Sequence, residues 1–307
     1  MKKLLMIAAF AVALASCSKT ETQNPDLPKG IRFTNLNDKV TRAANDANAN
    51  YQVYAKWSGG SGWYIDDVVN GTTNLATGGL HYWPSSGTVD FYSWAPASSS
   101  SIVATTTYPT LSIAYTVPAA ANEDFTIAAP VTGLSSGTVP FQFAHMLSKI
   151  TVSADLTQDL KDAGYSLTFT GGAATLNVNS TGGTIDPTAA TPAWTSPNST
   201  TAAYSGALSY MVLPQTSTGC KIQITGGITI TKGGSTVFTG GLSEYTIANN
   251  DITGNQFQSG KQYQLILVIS DTSTENGGGN IFGDAITFTA ATTPWDAVTP
   301  DPSLPQP

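Results

Sequence analysis

From Tyr51 to Ile269 the chain is written in short alternating runs punctuated by Gly, Pro and Asn, and no stretch of ten or more residues carries a convincing helical period. Alternation sends successive side chains to opposite faces, so each run reads as a strand with one apolar face. Tyr51-Gln52-Val53-Tyr54-Ala55-Lys56-Trp57, Val89-Asp90-Phe91-Tyr92-Ser93-Trp94 and Leu147 to Ala154 are the clearest, with turns such as Ser58 to Gly62 between them. Leu265-Ile266-Leu267-Val268-Ile269 is apolar on both faces and is expected to be a central, buried strand. Short strands with regularly spaced turn signals are the pattern of β-sandwiches, which argues against an α/β enzyme scaffold. Asp155 to Ala163 is a polar segment of helical character, and residues 179–203 are expected to form a loop.

Two strand series of similar size predict two tandem sandwiches, residues 43–138 and 139–307, in an all-β fold. Ala285 to Trp295 is a final strand on which Ile286, Phe288 and Ala290 share a face, followed by a proline-containing tail.

The N-terminus carries a different message. Lys2 and Lys3 precede an apolar run, Leu4 to Ala15, which ends in Leu14-Ala15-Ser16-Cys17. That arrangement predicts a secretory signal, residues 1–17, cut before Cys17, whose thiol is then lipidated. The run is too short to span a bilayer as a helix. Residues 18–42 form a polar tether with Pro25 and Pro28, then a short alternating strand with Ile31 and Phe33, and end at Thr41-Arg42-Ala43.

Arg32 and Arg42 are the only arginines, and everything from Ala43 onward has none. Loss of residues 1–42 removes seven cations and three acids (Glu21, Asp26, Asp38), so the formal charge goes from −7 to −11. The chain therefore has the composition of a precursor cut after Arg42 by a trypsin-like protease. An acidic, arginine-free body argues against nucleic acid as a partner, because phosphate backbones require clustered cations.

Little in the body suggests catalysis. His81 and His145 lie far apart, no Cys/His cluster has metal spacing, and no Gly-x-Ser-x-Gly elbow is present. Asp66-Asp67 and Glu123-Asp124 are neighbours whose side chains point to opposite faces of a strand, which does not suit a glycosidase pair. With Cys17 lipidated, Cys220 has no disulfide partner and reads as a buried strand cysteine. No catalytic residue, metal or cofactor is expected. Trp57, Trp63, Trp83 and Trp94 crowd the first half, where they would pack internally or, if exposed, stack on sugars.

Taken in order, several segments resemble the Bacteroidales fimbrillin family of type V pilus subunits. They are the Cys17 lipobox, Ile31-Arg32-Phe33, Thr41-Arg42-Ala43, Tyr82-Trp83-Pro84 followed by Val89-Asp90-Phe91-Tyr92-Ser93-Trp94, Phe143-Ala144-His145-Met146-Leu147-Ser148-Lys149-Ile150, Gly260-Lys261-Gln262-Tyr263, and Ile286-Thr287-Phe288 to Trp295. The resemblance implies two transthyretin-like sandwiches and export as an outer-membrane lipoprotein. It also implies cleavage between Arg42 and Ala43 by an Arg-specific protease. Removal of the leader strand (Ile31, Phe33) would then open a groove for a donor strand of the next pilin subunit. That donor maps to 285–295, with Ile286, Phe288, Ala290 and Trp295. The mature form would lie in an extracellular fimbrium, as a homo- or hetero-polymer. A non-polymerising surface lipoprotein, or a tip adhesin binding glycan or a host protein, is the alternative.

Overall fold

The computed structural model describes residues 30–35, 50–170, 174–195, 197–270 and 287–294. The fold is all-β, with one short α-helix among the described residues, Gln158–Asp162, in the polar segment after the strand Ser148–Leu156.

The first half is organised around the antiparallel trio Trp63–Asn70, Tyr51–Trp57 and Val89–Ala95. Thr126–Ala128, Phe143–His145 and Val131–Leu134 extend this sheet on the Val89–Ala95 side. Sequence alternation gives it two apolar faces with different destinations. Tyr51, Val53, Ala55, Val89 and Phe91 enter one core with Ile65, Val69, Val139 and Phe141. Tyr54, Tyr92 and Trp94 point the other way, into a second core that continues through Ile150, Leu176, Ile222 and Leu265.

The second half centres on Ser148–Leu156 and Lys261–Ile269, which run parallel, flanked by Ser209–Val212 and Thr287–Pro294. A parallel pair needs a crossover connection. Here the intervening chain supplies it by building further sheets, among them Ala174–Val178 against Ala202–Ala207 and Lys221–Ile224. The apolar run at 265–269 is central in its sheet, although only Leu265, Leu267 and Ile269 are fully buried.

The halves are stitched together. Ser112–Thr116 pairs with Ile102–Thr105 on one side and with Gly182–Ile185 on the other, so one sheet draws strands from both halves. Gly182–Ile185 lies in the stretch expected to be a loop. A Cβ on Gly182 would lie 2.7 Å from the Tyr115 carbonyl oxygen, so only glycine lets the two backbones approach this closely. Among the described residues, Val139, Phe141 and Phe143 are the last to pack in the first core, whereas the second core takes Tyr54 and Trp94 from the first half as well as Met146 and Leu147.

Candidate assembly groove

Near its start the described chain is threaded into the first core. Gly30 forms an antiparallel bridge with Tyr82, and the Ile31 N–H donates to the His81 carbonyl at 2.7 Å. The strand Arg32–Asn35 then runs parallel to Thr138–Phe141, with Arg32 opposite Thr138, Phe33 opposite Val139 and Asn35 opposite Phe141. The leader segment is thus bonded first on one edge and then on the other.

Side-chain alternation fixes what it buries. Ile31 and Phe33 are each 3% exposed, whereas Arg32 and Thr34 face solvent. The Phe33 ring stacks on Phe141 at 6.0 Å and meets Phe91 edge-on at 6.2 Å, and Trp83 also meets Phe91 edge-on at 5.7 Å. Burying two side chains of this size contributes roughly 3–6 kcal/mol in total. Among the described residues, Thr138–Phe141 has no other ladder partner. Without the leader, Phe91, Val139 and Phe141 would border an open apolar slot.

One wall of that slot carries a hydrogen-bonded latch. His81, whose carbonyl holds Ile31, places its Nε2 3.0 Å from Asp67 Oδ2. Asp67 also accepts hydrogen bonds from the N–H groups of Val68 and Gly78 and from the Thr77 hydroxyl. Burial pushes the Asp67 carboxyl up, but these hydrogen bonds, His81 first among them, outweigh it and hold the group below its usual 3.8. A depressed folded-state value means stability that is present above the unfolded value and lost as pH falls through the folded one. Asp67→Asn is therefore expected to cost about 1–3 kcal/mol near neutral pH and to flatten the acid limb of a stability–pH profile. Chemical denaturation from pH 3 to pH 7 checks this.

The other sequence-derived positions are distributed as follows. Cys17, Arg42, Ala43, Ile286 and Trp295 lie outside the described residues. Phe288 and Ala290 fall on Thr287–Pro294, which runs antiparallel to Lys261–Ile269, with Phe288 opposite Leu267 and Ala290 opposite Leu265. This strand is the terminal member of its sheet, and Ala290 is half-buried against the second core. The C-terminal strand thus sits at home on the second half, while the leader fills the first. The pairing of the leader with Thr138–Phe141, and with the backbone of His81 and Tyr82, has no signal in the sequence, because alternation marks faces and not partners.

The rest of the polar and aromatic inventory is structural. His145 Nδ1 lies 2.7 Å from Asp124, and the Cys220 thiol is fully buried, with burial pushing it up to about 11. Tyr54 packs on both Trp63 and Trp94, and Trp83 packs on Phe91, so these rings are engaged with one another rather than laid out as a flat sugar platform. Tyr54 and Trp94 floor an open cavity of about 550 Å³ rimmed by Ser98, Ser99 and Ser100, but both are buried. Among the described residues no group of three or more His, Cys, Asp or Glu side chains is placed to hold a metal.

A model of the fimbrillin-like family matches residues 39–295. Among solved structures, a fimbrial protein from Bacteroides vulgatus superposes with a TM-score of 0.55 at 15% identity, over 87% of this chain and 99% of that one. A candidate cell adhesion protein from Bacteroides uniformis gives a TM-score of 0.55 at 14% identity, over 87% and 98%. These likenesses establish a shared fold. No curated protein matches. The family match spans most of the sequence, and the chain accordingly belongs to the fimbrillin-like family, as a fimbrial or adhesion-related surface protein.

Proposed function

We propose that this chain is the lipoprotein precursor of a structural pilus subunit that polymerises by protease-triggered strand exchange. The observation that carries the reading is the leader strand. A segment joined to the predicted lipid anchor at Cys17 supplies Ile31 and Phe33 to the first core, and it is followed by Arg42. Most cores are built from residues the mature protein keeps. Here two fully packed side chains stand on the far side of the last arginine. A cut after Arg42 would release anchor and plug together, leaving a slot that must be refilled or stay wet.

The refill is a strand from a second subunit. Strand addition gains main-chain hydrogen bonds from Thr138–Phe141 and fills the slot with alternate side chains. Because donor and acceptor surfaces differ, the contact is heterologous and propagates as a filament. The precursor would be held at the outer membrane by its lipid, and the polymer would stand on the cell surface.

Arg42→Ala tests the processing step. Incubated with an Arg-specific protease, the wild-type precursor is expected to yield one main product beginning at Ala43. The variant is expected to stay uncut there and monomeric. Arg32 should survive the initial cut, because its peptide lies in a paired strand that cannot enter a protease cleft without unfolding. First cleavage after Arg32, or polymers from the uncut variant, would overturn the reading.

A further inference from the structure

The leader and the C-terminal strand carry nearly the same four residues in the same chain direction. Ile31-Arg32-Phe33-Thr34 aligns with Ile286-Thr287-Phe288-Thr289, and the sole difference falls at Arg32, whose side chain faces solvent. The two buried leader positions, Ile31 and Phe33, are matched residue for residue. We propose that the vacated slot receives Ile286–Thr289 of the next copy in the leader's own register and direction. Resting on the strand-exchange reading, this assigns which residue fills which place. The incoming strand runs parallel to Thr138–Phe141, with Phe288 opposite Val139 between Phe91 and Phe141, and Ile286 in the place of Ile31.

Shape and periodicity disfavour the other registers. A slip by one residue turns both apolar side chains toward solvent. A slip by two puts Ala290 where Phe33 stacks on Phe141, leaving a cavity, and forces Phe288 into the smaller place of Ile31. A reversed strand exchanges the isoleucine and phenylalanine positions, so one is underfilled and the other overfilled. In the leader's register Ala285 replaces Gly30. A Cβ there would lie 2.7 Å from Leu80 Cδ1. Leu80 is 47% exposed, so its side chain has room to swing outward without moving the backbone.

Opposed residues on neighbouring strands share a face and lie within disulfide reach. Thr138 is exposed opposite Arg32, and Thr287 takes the place of Arg32 in the proposed register. Two full-length precursors, one carrying Thr138→Cys and the other Thr287→Cys, are mixed, cleaved with an Arg-specific protease and oxidised. The expected result is a disulfide joining the thiol introduced at position 138 of one subunit to the thiol introduced at position 287 of another. It should be lost when Thr289→Cys replaces Thr287→Cys. Polymers that instead cross-link through position 289, or through neither position, would overturn the register while leaving strand exchange intact. Absence of polymers after complete cleavage would overturn the strand-exchange reading and the register with it.

Discussion

Phe33→Ala in the uncleaved precursor is expected to lower the unfolding free energy by about 3–5 kcal/mol. The side chain is 3% exposed, stacked on Phe141 and edge-on to Phe91, so truncation removes its transfer energy and leaves a cavity between two rings. Thr34→Ala, one position along on the solvent face, is expected to change stability by less than about 0.5 kcal/mol. The contrast matters because proximity in sequence is the same and burial is not. Urea unfolding of the two precursors measures it. A second outcome follows from the processing scheme: bodies prepared by cleavage after Arg42 should unfold identically whichever precursor they came from, since neither contains residue 33. A loss for Phe33→Ala as small as that for Thr34→Ala would mean that the buried face of the leader strand adds nothing to the core.

Deletion of residues 285–307 is expected to abolish self-polymerisation and to convert the subunit into a chain terminator. Such a chain keeps the first-half slot walls, Thr138–Phe141 and the His81 segment, but has no strand to offer. Mixed with wild-type precursor and cleaved, it should accept a wild-type strand and end the filament, shortening polymers as its fraction rises. The deletion also strips the outer edge from Lys261–Ile269, which remains paired to Ser148–Leu156. Capping of wild-type chains therefore separates loss of the donor from general damage: a misfolded body would neither polymerise nor cap. Gel filtration of the mixtures after cleavage reads both. Self-polymers of the deleted chain would place the donor elsewhere.

Both predictions depend on features with very different visibility in the sequence. The faces of strands were legible wherever alternation is strong. Tyr51, Val53 and Ala55 do share a core, Tyr54 does face away, and Ile31 and Phe33 are buried with Arg32 between them exposed. Alternation sets which side a residue faces, but not its partner strand or direction. The parallel pairing of the leader with Thr138–Phe141 therefore could not be read from residues 31–35. Gly182–Ile185 was hidden for a related reason. Its two glycines have weak strand propensity and leave only Thr184 and Ile185 to mark it, and the strand exists because Ser112–Thr116 lies alongside and Gly182 permits the approach. The Asp67–His81 latch spans fourteen residues and two turns, so neither member announced the other. The continuity of the second core across both halves was likewise invisible, because Tyr54, Tyr92 and Trp94 read as ordinary aromatic strand residues until their neighbours are in place.

What the fold adds to a chain whose last arginine is Arg42 is a proposed mechanical role for the segment before it. In the proposed scheme composition points to a cut after Arg42, and the packing of Ile31 and Phe33 says what that cut would undo. The most direct test is to cleave the purified wild-type precursor after Arg42 and follow the product on unheated SDS gels. The account predicts monomer before cleavage and, after it, a ladder of SDS-resistant oligomers whose appearance tracks release of the leader fragment. A cleaved body that sheds residues 31–42 yet stays monomeric at high concentration would contradict it.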